Sequence, residues 1–249
     1  MRAWGLTDIG MVREVNQDTF RMEYDMETGR GMFLVCDGMG GAKSGNIAST
    51  LAADVFVQEI KQSWNSNMTQ ERIDQMIQRA TKLANFTVYD QAAQIEDFSG
   101  MGTTMAAVLI KGMSVTVVNV GDSRVYAVSS DGIRQLTKDH SLVQMMLRRG
   151  ELTREQAKNF PGKNYITRAI GTEPTVDCDF FHLDMKKDEC LLLCSDGLSN
   201  LLDEQEMLFA FSDFINDMIL PFYPFGVQNP EKVKEYKKSF SDCMKRLVS

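Results

Sequence analysis

The chain has 249 residues, 43% hydrophobic and 24% charged, with a formal net charge of −7 and a pI near 5.0. That length supports one large domain or two small ones with a core well above marginal size. The acidic balance argues against a nucleic-acid footprint, no apolar run approaches the roughly 20 residues of a membrane span, and "MRAWGLTDIG" lacks the apolar segment of a secretory signal.

In chain order, residues 3 to 9, 19 to 24 and 31 to 36 read as strands. From Ser44 to Trp64, the residues Ile47, Ala48, Leu51, Ala52, Val55, Phe56 and Ile60 recur at helical spacing. A second helix is expected from an N-cap at Thr69 to Ile95. Strand signals follow at 103 to 110, 113 to 120, 123 to 129 and 132 to 137, with turns at Gly112 and "SDG". Residues 141 to 159 read as two short helices broken at Gly150, the second opening with Thr153 and Gln156 at capping-box spacing. Strands near 177 to 184 and 190 to 195 precede a helix from about Asp203. Strands in hairpins and helices in pairs predict an α+β layered domain with an antiparallel sheet.

Three strand-like runs each deliver an aspartate at their end: "GRGMFLVCDGMGG" gives Asp37, "VTVVNVGDSR" gives Asp122 and "CLLLCSDGLS" gives Asp196. Taken singly, an Asp-Gly pair is a turn, Asp122 has Arg124 as an available partner, and Asp18 reads as a loop acid. Taken together, carboxylates at adjacent buried strand ends repel one another unless a cation neutralises them. The two histidines, His140 and His182, exclude a zinc site built on several imidazoles, so a metal here is held by oxygen. Mg²⁺ or Mn²⁺ suits that donor set, and a pair of ions sharing one carboxylate lowers the pKa of a water towards neutrality. Gly38, Gly40 and Gly41 allow close backbone approach, and Arg13 has the fork geometry to grip a phosphate. "DGMGGAKSG" lacks the Gly-Lys-Ser/Thr of a P-loop. The five cysteines, Cys36, Cys178, Cys190, Cys194 and Cys243, form no CxxC pair and suggest a reducing cytoplasm.

The stretches "TDIGMVREVNQD", "VCDGMGGAKSGNIAS", "GMGTTMAAVLI", "VNVGDSRVYAV", "LTKDHSLVQMM", "NYITRAIG" and "LLLCSDGLSNLLDEQEM" resemble, in order, the metal-dependent serine/threonine protein phosphatases (PP2C/PPM) of short bacterial type. The resemblance implies an antiparallel β-sandwich flanked by helix pairs in four layers (α/β/β/α) and metal-dependent hydrolysis of phosphoserine and phosphothreonine in proteins. It implies two Mn²⁺ or Mg²⁺ ions, bridged by Asp37, with the Gly38 carbonyl, Asp18 and Asp196 as further ligands and Asp122 helping to hold a third ion. Arg13 grips the substrate phosphate, and residues 141 to 164 form a flap on a phosphatase domain spanning 1 to 210. The expected partners are phosphorylated proteins made by a serine/threonine kinase, with no nucleic acid, no membrane, a monomeric state and a cytoplasmic location. Met39 stands where many eukaryotic members carry a histidine, which leaves a metal-bound water or His140 as proton donor. The family's C-terminal Gly-x-Asp-Asn motif and final strand are not recognisable, so residues 211 to 249 read as a divergent tail. That departure keeps a second reading open, a degenerate module that binds phosphoproteins or a kinase without efficient turnover.

Overall fold

The computed structural model describes residues 3–10, 13–40, 44–129, 131–158, 160–162, 164–186 and 189–208. Strands β1 (Asp18–Asp25) and β2 (Arg30–Met39) form a hairpin, and helices α1 (Gly45–Ser63) and α2 (Gln70–Gln94) follow. After one 3₁₀ turn (Glu96–Phe98) come β3 (Gly102–Thr103), β4 (Met105–Lys111), β5 (Ser114–Val120), β6 (Arg124–Ser129) and β7 (Gly132–Gln135). Helices α3 (Leu142–Arg149) and α4 (Arg154–Lys158) precede β8 (Asp179–Asp184), β9 (Cys190–Cys194) and the short helix α5 (Asp196–Ser199). One sheet runs β1-β2-β4-β5-β8 with β3 paired to β2; the other runs β7-β6-β9, and every pairing is antiparallel.

Side-chain parity explains the layers. On β4, Met105, Ala107 and Leu109 pack with the α1–α2 pair, whereas Ala106, Val108 and Ile110 pack into the space between the sheets. β2 alternates likewise, with Leu34 and Cys36 towards the helices and Phe33 and Val35 towards the second sheet. On β6, Val125 and Ala127 face inward, while Tyr126 and Val128 join Cys194, Leu198 and Met207 on the outer face. A central strand buried on both faces is apolar at every position, as "MAAVLI" is. Helix α1 presents Ala48, Ala52, Phe56 and Ile60, all fully buried, and small residues let it lie close to β2. A side chain at Gly38 would overlap the Gly45 carbonyl, so this crossing admits only glycine at 38.

The expected caps form. The Thr69 hydroxyl accepts from the Arg72 N–H (3.4 Å), and Thr153 and Gln156 cap each other reciprocally at 2.9 and 3.3 Å. Gly150 ends α3 in the left-handed region at φ +72°. Residues 3 to 9, however, are not a strand. There Asp8 accepts from the Gly10 N–H (2.8 Å) and Thr7 from the Asn16 amide (2.8 Å), local bonds that replace a ladder. The run expected at 103 to 110 breaks at Thr104 into β3 and β4, and α5 was not anticipated. Residues 204 to 208 are helical, as expected near Asp203. The missing final strand and the tail at 211 to 249 lie outside the described residues. Among the described residues no helix is long and apolar enough to cross a membrane.

Candidate active site

Antiparallel pairing brings four aspartates to one end of the sandwich. Asp18 opens β1 and is the register partner of Asp37 near the end of β2, so the two side chains stand opposite each other on one face. Asp37 shares parity with Phe33 and Val35, which places that face towards the second sheet. Asp122 lies just past the end of β5, and Asp196 begins α5 just past β9. The two sheets therefore contribute to a common mouth.

The backbone of Asp37 is fixed from β3–β4. Its N–H donates to Thr104 Oγ1 (2.9 Å), and its carbonyl accepts from the Thr104 N–H (2.9 Å) and from Thr103 Oγ1 (2.9 Å). Thr104 Oγ1 lies 2.6 Å from Ser123 Oγ, a hydroxyl link from Asp37 to the residue after Asp122. Ser195 Oγ donates to Asp18 Oδ2 (2.6 Å), and Asn200 Nδ2 donates to Asp196 Oδ2 (3.1 Å). These orienting partners, Thr103, Thr104, Ser123, Ser195 and Asn200, were not legible as such. All five stand inside the quoted stretches "GMGTTMAAVLI", "VNVGDSRVYAV" and "LLLCSDGLSNLLDEQEM", with no local pattern to mark them as partners of the aspartates.

Burial and mutual repulsion dominate the electrostatics. Burial first, then the charges of Asp18 and Asp196, push the Asp37 carboxyl up to about 9. Burial also raises Asp18, opposed by the Ser195 hydroxyl, with the charge of Asp196 adding to the rise and that of Arg13 offsetting it. Asp122 is pushed up to about 6, by burial and then by Asp196 and Asp139. Arg13 is an exposed loop residue whose charge reaches Asp18. The pairing of Arg124 with Asp122 that the sequence allowed does not form. Arg124 instead grips Asp139, with Nε 3.0 Å from both carboxylate oxygens and NH2 2.6 Å from Oδ2.

His140 is also committed. Its Nδ1 accepts from the Gly121 N–H (3.1 Å), so the ring carries its proton on Nε2, which faces Asp179 Oδ2 (3.2 Å). Burial lowers its pKa, and both ring nitrogens have partners within the fold.

This donor set fits a hard divalent cation. It is all oxygen, and the charges of Asp18 and Asp196 push Asp37 up, a repulsion that a cation would relieve. The fit is one of adjacency. Among the described residues, no three His, Cys, Asp or Glu side chains close on a single point as a ready-made cage.

The protein phosphatase 2C family model matches residues 12–229. The chain is 38% identical over 207 residues to the serine/threonine phosphatase stp of Listeria innocua, covering 83% of this chain and 81% of that protein. It is 35% identical over 204 residues to the protein phosphatase PhpP of Streptococcus pneumoniae, covering 81% and 80%. The crystal structure of the serine/threonine phosphatase Stp1 from Staphylococcus aureus superposes with a TM-score of 0.77 at 30% identity, covering 96% of this chain and 88% of that one. The chain belongs to the protein phosphatase 2C family. It is a metal-dependent protein phosphatase with that family's α+β fold, and the non-hydrolysing alternative is not favoured.

Proposed function

We propose that this protein removes phosphate from phosphoserine and phosphothreonine in proteins phosphorylated by a serine/threonine kinase, acting as a monomer in the cytoplasm. The two residue types follow the names of the relatives in Listeria and Staphylococcus. The described cysteines, all free thiols, suit a reducing compartment.

Asp37, Asp18, Asp196 and the Gly38 carbonyl would hold two divalent ions, Mn²⁺ or Mg²⁺, with Asp37 shared between them, and Asp122 would help to hold a third. When bound, the ions supply Lewis acidity at the phosphoryl oxygens and lower the pKa of water. The chain's own residues do the rest. Thr103 and Thr104 hold the Asp37 backbone, Ser195 and Asn200 orient the carboxylates of Asp18 and Asp196, and Gly38 keeps β2 against α1. Arg13, exposed beside Asp18, holds the oxygens of the incoming phosphate. The segment 141 to 164 acts as a flap whose base is pinned by the Leu142 N–H to the Tyr165 carbonyl (2.8 Å).

The observation that carries this reading is the half-buried Asp37 carboxyl at the mouth of the sandwich, pushed up by burial and by the charges of Asp18 and Asp196. Turnover of p-nitrophenyl phosphate and of a phosphothreonine peptide should require Mn²⁺ or Mg²⁺ and vanish with EDTA. Full activity after exhaustive metal removal would refute it.

A further inference from the structure

Residue 140 captures both polar groups of one glycine. The ring Nδ1 of His140 accepts from the Gly121 N–H (3.1 Å), while the His140 N–H donates to the Gly121 carbonyl (2.9 Å). Asn119 Nδ2 donates to the same carbonyl (3.1 Å) and to the Lys138 carbonyl (3.0 Å). Gly121 sits at φ +102°, and a side chain there would strike Thr104. The turn that presents Asp122 thus has a backbone only glycine adopts comfortably, held in place from outside.

The imidazole is itself aimed. Its Nε2 lies 3.2 Å from both Asp179 Oδ2 and Arg168 NH1, and Arg168 NH1 fixes that carboxylate through Oδ1 (2.9 Å) while also donating to the Asp177 carbonyl (3.1 Å). Asp179 is the register partner of Asn119, so the first residue of β8 closes the box. The main chain of His140 also belongs to the base of segment 141 to 164, because its carbonyl accepts from the Thr167 N–H (2.7 Å). Ser141 and Ile166 form a bridge beside it.

We propose that His140 is a positioning residue for Asp122: its neutral imidazole, aimed by Asp179, locks the Gly121–Asp122 turn and so fixes the carboxylate that receives a cation. This rests on the reading of Asp122 as a ligand. A partner that orients a ligand typically contributes 10–100-fold to metal affinity. His140 acts through the backbone one residue before the ligand, so the lower end, about tenfold, is expected.

The test is Mn²⁺ titration by calorimetry on the full chain, with wild type, His140→Ala, His140→Asn, Asp122→Asn and the His140→Ala/Asp122→Asn double variant. Asn places Oδ1 near the position of Nδ1, so it keeps the acceptor for Gly121 without reaching Asp179. His140→Ala should weaken the Asp122-dependent binding event about tenfold, His140→Asn should recover most of that loss, and His140→Ala should have no further effect once Asp122 is Asn. A merely structural role would weaken all binding events alike and would not vanish in the Asp122→Asn background. That pattern, or unchanged binding in His140→Ala while Asp122→Asn does lower it, overturns the proposal alone. If Asp122→Asn leaves the isotherm untouched, the ligand assignment itself falls, and the positioning role with it. Should His140→Ala fail to fold, His140→Asn against Asp179→Ala decides: the proposal predicts that Asp179→Ala weakens the same event, and no change there refutes it.

Discussion

Asp139 on one side and Asp18, Asp37 and Asp196 on the other lie half-buried at the same end of this sandwich, and the chain treats them oppositely. Asp139 receives a guanidinium fork from Arg124 and a further bond from Gln135 (2.9 Å). Asp18, Asp37 and Asp196 face one another, and their main protein donors are a hydroxyl from Ser195 and an amide from Asn200. Burying a carboxylate beside another is unfavourable unless positive charge compensates. Near Asp139 the chain supplies that charge from its own sequence. Around Asp18, Asp37 and Asp196, among the described residues, the exposed Arg13 offsets part of the rise at Asp18. The difference separates an acid compensated within the fold from acids whose repulsion a cation would relieve.

The largest expected effect tests the uncompensated group. Asp37→Asn should lower kcat at least about 100-fold, since it removes a first ligand where loss of a mere orienting partner costs 10–100-fold. The same substitution should raise the melting temperature of the metal-free protein near neutral pH, because it removes an ionisable group whose charged form the fold disfavours. A variant that loses both activity and stability would contradict the comparison.

The compensated group should behave in reverse. Arg124→Met leaves Asp139 buried without its partner and should cost about 3 kcal/mol, or roughly 6–12 °C in Tm for a domain of this size. The Arg124 side chain keeps 26% exposure, which sets the expectation at the low end for a broken buried pair. Replacing both partners, Arg124→Met with Asp139→Leu, should cost less than the single change. Thermal denaturation of both variants checks this, and equal losses would mean that the pair itself, and not the stranded acid, carries the energy.

A smaller effect is expected at Arg13. On the proposed role of Arg13 as an exposed phosphate contact and not a metal ligand, Arg13→Ala should raise KM about two- to tenfold with kcat changed less. Steady-state kinetics on a phosphopeptide distinguishes this from a fall confined to kcat, which would place Arg13 in the chemical step.

Much of this arrangement was legible in the sequence because it follows from parity. A run such as "FLVCD" that alternates between two cores must throw the carboxylate of Asp37 onto the face shared by Phe33 and Val35. The ends of the apolar runs placed Asp122 and Asp196 at strand ends. What parity could not give is partnership across long separations. The Ser195 hydroxyl meets Asp18 across 177 positions, and Arg124 passes over Asp122, two residues away, for Asp139. Both outcomes depend on how the two sheets face each other, which no local pattern encodes. The strand expected at 3 to 9 failed for the opposite reason. Its apolar residues suggested a ladder, but the side chains of Thr7, Asp8 and Asn16 satisfy the backbone and one another locally.

The central claim, that the Asp37 group is a cation site the chain itself leaves uncompensated, is tested most directly by thermal unfolding of the metal-free protein against pH. Carboxyls raised in the folded state bind more protons there than in the unfolded chain. Their stabilising contribution is full below the ordinary value near 3.8 and is lost as pH rises, through about 6 for Asp122 and about 9 for Asp37. The account predicts a Tm that falls between pH 5 and pH 8 without metal, recovers on addition of Mn²⁺ at pH 8, and does both to a smaller extent in Asp37→Asn. A Tm that Mn²⁺ does not move, with the same pH dependence in wild type and Asp37→Asn, would contradict it.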